Sequence, residues 1–200
     1  NWSDWSSDVC SSDLAAFTTK EGIPYEIQYL TAMEELFIFG NSNTFLLKEL
    51  DCGPYVCMLS QLRKLTIGAY GLTKLHDDFT NLKNLEYLSL ESNNFQKIPS
   101  ELNEENFPNL TALILNANTR YTVMDLYNDT RENIGGFVEE EGFPVRMLLW
   151  DNLDTLRLSV NYLQGRIPSD QEMVQILSEK KGSVEYWRNS DMNIKDSIAV

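Results

Sequence analysis

The single histidine, His76, stands beside Asp77 and Asp78, and this is where the chain could carry acid–base or metal chemistry. A zinc site needs several His or Cys ligands at short spacings, and the sequence has neither a second histidine nor a Cys-x-x-C pair. The serine motif G-x-S-x-G and a glycine-rich phosphate loop are also missing. We therefore expect His76 to lie in an exposed turn, and we expect no enzymatic activity, no metal site and no cofactor.

Two cysteines, Cys52 and Cys57, enclose the sequence GPYV. In a secreted protein such a pair can form a local disulfide. The alternative is a pair of half-buried thiols, because Val56, Met58 and Leu59 surround Cys57 with apolar side chains. Both interpretations stay open, and neither indicates redox catalysis.

Acidic residues outnumber basic ones by 30 to 16, which gives a formal net charge of -14. Nucleic acid is not an expected partner, because its phosphates are bound by clustered positive charge. The acidic run at 139–141 could attract a cation, but consecutive carboxylates diverge on an extended chain and the spacing of a calcium loop is absent. We expect a solvated loop there. No apolar run reaches the roughly 20 residues of a membrane-spanning segment.

Residues 1–14 have neither helical nor strand periodicity. From Asp4 to Leu14, DWSSDVCSSDL, they resemble one translated reading frame of a common short-read sequencing adapter. The resemblance implies that this segment is foreign to the gene and that the native N-terminus is missing, whereas the alternative is a Ser/Asp-rich linker. Removing its three aspartates would change the formal charge from -14 to -11, which is still acidic.

The pattern L-x-x-L-x-L-x-x-N recurs along the chain and decides the fold class. It fits five segments, at 33–41, 62–70, 85–93, 110–118 and 153–161. Their starts are 29, 23, 25 and 43 residues apart, so the last interval holds an insertion or a degenerate sixth repeat. The x-L-x-L-x core of each segment predicts a short strand whose Leu-type side chains point to one side. Stacking the units in a parallel sheet would merge these side chains into one core.

Asparagine at the ninth position of the pattern can satisfy backbone groups where the chain turns away from the sheet. Tyr70 replaces it in the second segment, which we therefore expect to turn differently. After the last segment, Ser169 and Glu172 form a capping box that predicts a helix over about 170–181, and a strand is expected around Val184–Trp187.

Two segments, LEYLSLESNNFQKIP at 85–99 and LDTLRLSVNYLQGRIP at 153–168, resemble the leucine-rich-repeat family. Their endings are similar to plant extracellular repeats and to cell-surface repeat proteins of gut Bacteroidales, and the irregular spacing favours the bacterial group. The resemblance covers about residues 22–168. It implies an α/β solenoid with short parallel strands on the concave face and a helical or irregular convex side. We expect one domain over 15–200, truncated at one or both ends.

The resemblance also implies an extracellular or cell-surface protein that recognises a protein or glycan partner. The predicted partner-binding residues occupy the outward strand positions, and they are Phe37, Phe39, Thr66, Tyr87, Ser89, Glu91, Ile114, Asn116, Arg157 and Ser159. Phe37, Phe39 and Ile114 are expected to form an exposed apolar patch, unless the inserts cover this face. The alternatives are a structural spacer in a large surface protein and the recognition arm of an enzyme whose catalytic domain lies outside this chain.

Overall fold

A computed structural model describes residues 23–39, 53–118, 121–125, 130–133, 144–159, 161, 169, 171–172, 183–185 and 198–199. The strands of these residues are β1 (Glu35–Phe39), β2 (Lys64–Gly68), β3 (Tyr87–Ser89), β4 (Ala112–Ile114), β5 (Tyr121–Asp125), β6 (Thr130–Asn133), β7 (Thr155–Arg157), β8 (Ser183–Glu185) and β9 (Ile198–Ala199). Four helices within the described residues are single turns: two 3-10 helices, Tyr25–Tyr29 and Asp77–Asn81, and two α-helices, α1 (Gly53–Val56) and α2 (Val145–Leu148).

One sheet runs through the molecule in the order β1-β2-β3-β4-β7-β8-β9. All neighbours are parallel except the last pair, β8 and β9. Each of the five predicted segments contributes one strand, and the fourth pattern position of each lies opposite the same position of the next, as Leu65 lies opposite Leu88. The strand expected near the C-terminal end is also present, beginning one residue earlier than predicted, at Ser183.

The core forms on one side of this sheet, as predicted. Ten side chains were expected to point inward, and none is more than 1% exposed: Leu36, Ile38, Leu65, Ile67, Leu88, Leu90, Leu113, Leu115, Leu156 and Leu158. The short convex elements cover them with further apolar residues, among them Phe79 and Phe107, whose rings meet edge to face at 5.9 Å. The irregular convex side agrees with the predicted solenoid.

The 43-residue interval between the last two segments holds no sixth strand of the main sheet within the described residues. β4 pairs directly with β7. β5 and β6 instead pair only with each other, as an antiparallel hairpin outside that sheet. A hairpin satisfies its backbone groups locally, so this insertion does not need a place in the repeat stack. The hypothesis of a degenerate sixth repeat is therefore wrong for this part of the chain, and the acidic run at 139–141 lies outside the described residues.

The asparagines at the ninth position join each repeat to the one before it. The Asn93 amide nitrogen donates to the carbonyls of Ile67 (2.7 Å) and Leu90 (2.9 Å), and its oxygen accepts the N–H groups of Tyr70 and Leu72, both at 3.1 Å. Asn118 reaches back to Leu90 and Asn161 to Leu115 in the same way. All three asparagines are buried, so these bonds satisfy backbone groups that water does not reach.

The second repeat turns like its neighbours, so the expectation based on Tyr70 is wrong. The residue before the ninth position has a positive φ in each case, 52° at Ala69, 58° at Ser92 and 55° at Ala117. The reason is that Asn93 of the following repeat bonds both Ile67 and Tyr70, so the second repeat turns without needing an asparagine at its own ninth position.

A second row of asparagines was not predicted. Asn84, Asn109 and Asn152 each precede the first leucine of a repeat, and each donates its side-chain amide to a carbonyl of the preceding repeat, at Ser60, Lys83 and Pro108 respectively. The distances are 2.7 to 3.0 Å. The recurring Asn-Leu dipeptide is the sequence signal that would have revealed this row.

The hydroxyl of Tyr70 is buried and has no hydrogen-bond partner among the described residues. Burial raises its pKa from 10.0 to about 12, because the charged phenolate is poorly solvated there. We expect Tyr70→Phe to increase the free energy of unfolding at pH 7 by about 1 kcal/mol, since a buried unsatisfied polar group is removed. Tyr29→Phe, at an exposed ring, is the control and should have no effect.

The raised pKa of Tyr70 predicts that the free energy of unfolding depends on pH. Its folded-state pKa lies above the unfolded value, so the unfolded chain loses the phenolic proton first as the pH rises. The stability that the protein has with a neutral Tyr70 is therefore fully present below pH 10, and it falls between pH 10 and about 12. Denaturant unfolding at several pH values should show a smaller alkaline loss in Tyr70→Phe than in the parent chain. Equal alkaline losses would contradict the assignment to Tyr70.

Candidate binding face

The concave face is defined here by the third, fifth and seventh pattern positions of the five repeat strands. The fifth positions form its central row, in which Phe37, Thr66, Ser89, Ile114 and Arg157 lie side by side in register. The structure thus brings the predicted residues of this row together. Such a row is a rigid surface, because every strand is fixed by its neighbours on the sheet.

Exposure along the face differs from the prediction. Ile114 is 5% exposed and does not contribute to an exposed apolar patch, and Thr66, Ser89 and Ser159 are also buried. Neighbouring strands lie about 4.8 Å apart, so a short or branched side chain in the middle of the sheet is shielded from both sides. Phe37 is half-buried, whereas Phe39 is 45% exposed. The apolar surface is therefore concentrated at the β1 end of the face.

Phe39 has a specific support on the next strand. Gly68 is its partner in register, and a Cβ atom added to Gly68 would lie 2.5 Å from Cε1 of the Phe39 ring. That distance is far inside van der Waals contact, so the ring packs directly on the glycine backbone. The absence of a side chain at Gly68 thereby allows Phe39 to lie against the sheet while keeping part of its ring in solvent. Nothing in the sequence around Gly68 indicates this role, because the ring belongs to another strand.

Charged residues border the face at the start of the strands. Lys64 Nζ lies 2.7 Å from Oε1 of Glu35, and both side chains are about half exposed. Beside them Arg63 bridges Glu34 and Glu86, with its shorter contact of 2.8 Å to Glu86. Hydrogen bonding to Glu86 and its negative charge raise the pKa of Arg63. Exposed pairs of this kind contribute little to stability, so their main effect is to fix the positions of polar groups at the rim.

The remaining predicted residues are partly accessible or already engaged with the backbone. Tyr87 and Glu91 are half-buried, and Arg157 is exposed. The side-chain oxygen of Asn116 accepts the N–H of Ser159 at 3.0 Å, so this asparagine helps to join two repeats. The exposed part of the face therefore runs from the aromatic β1 end to Arg157 on β7.

Sites for other chemistry have little support in the described residues. His76 caps the 3-10 helix Asp77–Asn81, where its Nδ1 accepts the N–H of Asp78 at 3.1 Å. In the described ranges no three His, Cys, Asp or Glu residues are grouped to hold a metal ion. Among the helices that the structure describes, none has the length and apolar character needed to cross a membrane.

The structure describes one of the two cysteines that could form the local disulfide. Cys57 is buried, at 2% exposure, which agrees with its apolar sequence surroundings. Cys52 lies outside the described residues, so the disulfide remains a prediction.

The capping box of Ser169 is present, with its N–H donating to the Glu172 carboxylate at 2.7 Å and the Glu172 N–H donating to Ser169 Oγ at 3.4 Å. The helix predicted beyond it, apart from residues 171–172, also lies outside the described part of the chain.

Comparison with solved structures agrees with the repeat architecture. The chain is similar to a leucine-rich-repeat protein of Leptospira interrogans, with 24% identity and a TM-score of 0.52 over 84% of this chain. It spans 40% of the length of that protein. Weaker similarity extends to two Listeria monocytogenes proteins, an internalin (16% identity, TM-score 0.39, covering 88% of this chain and 52% of that one) and internalin C2 (15% identity, TM-score 0.37, covering 80% and 74%).

No protein-family model matches the sequence, and no curated protein is significantly similar to it. The parallel strands, the single core and the structural similarity establish the fold as a leucine-rich-repeat solenoid.

Proposed function

We propose that this chain is a non-catalytic recognition module that binds a protein or glycan partner through its concave face. The observation that carries the proposal is the Phe39 ring, which is 45% exposed although it packs on Gly68. An exposed aromatic ring offers a partner a large apolar contact, and its fixed position reduces the entropy lost when a partner binds.

The composition of the face supports a single anchored contact. Phe39 and the partly exposed Phe37 provide apolar area at one end, and aromatic side chains are common centres of binding energy. Tyr87, Glu91 and Arg157 provide polar groups along the rest of the face. This arrangement of an aromatic anchor with a polar surround suits a protein loop, and it also suits a glycan, whose sugar rings stack on aromatic faces.

The proposal predicts the effect of removing the anchor. Phe39→Ala should weaken binding of a partner selected from a glycan array or a surface-protein library by about 1 to 3 kcal/mol, because the main apolar contact is lost. Gly68→Ala should weaken it in the same direction by displacing the ring. Affinity can be measured by calorimetry, with thermal unfolding of each variant as the check on folding.

Leu149→Ala is the matched control, because Leu149 is 54% exposed but belongs to the insertion before β7. It should leave the affinity unchanged. Normal affinity in a folded Phe39→Ala variant would reject the concave-face site. Glu140→Ala, in the acidic insert outside the described residues, should also change binding little.

We propose in addition that the chain is a single domain located at a bacterial cell surface, similar to the Bacteroidales proteins named above. The irregular spacing of the repeats and the acidic insert at 139–141 support this origin. Protease treatment of intact cells of the source organism should remove the protein if it is exposed at the surface. A protein that is protected until the cells are lysed would contradict the location.

The proposal that residues 1–14 derive from an adapter rests on the match from Asp4 to Leu14. These residues lie outside the described part of the chain. An adapter-free read of the gene should encode different residues at these positions. Recovery of the same sequence from such a read would show that the segment is native.

A further inference from the structure

A second exposed apolar surface lies on the convex side, near the beginning of the described chain. Tyr25 is 52% exposed, Tyr29 is 70% exposed and Met58 is 58% exposed. These are three of the five large apolar side chains that are exposed in the described residues. They belong to the 3-10 helix Tyr25–Tyr29 and to the turn after α1, two elements that pack together. We call Tyr25, Glu26, Tyr29, Tyr55 and Met58 the tyrosine surface.

One pair of rings of this surface lies beside a carboxylate. Tyr25 and Tyr55 meet edge to face, with ring centroids 6.2 Å apart and an interplanar angle of 65°. Glu26 follows Tyr25 directly, and its negative charge and hydrogen bonding raise the pKa of the Tyr25 hydroxyl. The formal charge of this surface belongs to Glu26, beside the phenol of Tyr25. The 3-10 helix has no basic residue in its last turn to neutralise it.

We propose that the tyrosine surface binds an arginine or lysine side chain of a protein partner. The faces of aromatic rings attract cations through their quadrupole, and Glu26 adds a formal negative charge at the same place. A planar guanidinium can stack on a tyrosine ring while it bonds a carboxylate, so arginine is the preferred residue. The exposed Met58, in the turn after α1, can offer a flexible and polarizable contact to the apolar stem of that side chain.

The net negative charge of the whole chain also favours binding of a basic partner. A formal net charge of -14 attracts a basic segment over a distance, and the tyrosine surface then offers it a specific contact. This surface is separate from the concave face. Ile27 and Val56, on the same two convex elements, are buried in the core, and that core lies between these elements and the outward side chains of the sheet. The two surfaces can therefore be tested independently.

The test uses a short peptide of alternating glycine and arginine, blocked at both ends, titrated into the full chain at low salt. The tyrosine ring signals of the surface should shift in the NMR spectrum. We expect Tyr25→Leu and Glu26→Gln each to lower the affinity about fivefold, because each removes one half of the cation contact. Both side chains are exposed at the surface, so the thermal midpoint should stay the same.

Three comparisons make the test specific. Glu105→Gln removes an equal charge from another exposed position, and it should change the affinity less than about twofold. The same peptide with neutral citrulline in place of arginine should not bind. Phe39→Ala, which tests the concave face, should leave peptide binding intact. Equal losses in Glu26→Gln and Glu105→Gln, or equal binding of the citrulline peptide, would overturn the proposal by showing that attraction is diffuse or does not require a cation.

Discussion

Replacing Asn93 with alanine should lower the free energy of unfolding by roughly 3 to 5 kcal/mol, because several buried backbone groups lose their partners together. The side chain accepts the N–H groups of Tyr70 and Leu72 and donates to the carbonyls of Ile67 and Leu90. Alanine can make none of these bonds. Water does not replace them readily, since Asn93 is 0% exposed. Urea unfolding followed by circular dichroism measures the loss.

Asn84→Ala is the matched control. Asn84 also bonds a carbonyl of the preceding repeat, that of Ser60 at 2.9 Å, but it is exposed to solvent. Its removal should cost at most about 1 kcal/mol, because water can bond the carbonyl instead. If both alanine variants lose the same stability, the burial of Asn93 is not the reason for its importance. Asn93→Asp should cost at least as much as Asn93→Ala, because it places a buried carboxylate oxygen against the carbonyl oxygens of Ile67 and Leu90.

Leu88→Ala should cost roughly 2 to 5 kcal/mol through the cavity that it leaves in the core. Leu88 is 0% exposed and lies in register between Leu65 on β2 and Leu113 on β4. Both neighbours are held by their own strands, so they cannot move far enough to fill the space. The measurement is again the free energy of unfolding in urea.

Leu149→Ala is the control for this variant, because it removes the same atoms from a side chain that is 54% exposed. It should cost less than about 0.5 kcal/mol. A loss of that small size for Leu88→Ala would contradict the register of the sheet.

The repeat register could be predicted from sequence because a period of two within a fixed nine-residue pattern leaves no freedom for the inward side chains. Leu65, Leu88 and Leu113 occupy equivalent positions, and a shift by one residue would expose all of them. The ninth-position asparagines could also be predicted as backbone partners. Their reach into the preceding repeat could not, because it depends on the spacing between coils rather than on any one segment.

Exposure on the concave face was harder to predict. Pattern position fixes the side of the sheet on which Ile114 and Phe39 lie, and both lie on the predicted side. It does not fix how much solvent reaches them, which depends on the size of neighbours on adjacent strands. Gly68 illustrates this, since its importance arises from a ring 29 residues earlier in the chain, at Phe39. The tyrosine surface was missed because its residues lie outside the repeat pattern.

Both rows of asparagines give the stack of repeats a direction. Asn93 and Asn84 of one repeat bond the repeat before it, and Asn118, Asn109, Asn161 and Asn152 do the same further along. Within these two rows, removing a later unit therefore takes the asparagine partners from peptide groups of the unit that stays behind, whereas removing an earlier unit leaves the asparagine side chains without partners. In a nearest-neighbour description, the two ends of the stack are then not equivalent. By these asparagine contacts alone, the stack should fray asymmetrically under force, opening stepwise from its N-terminal side, because the unit that then stays behind keeps the side-chain partners of its peptide groups.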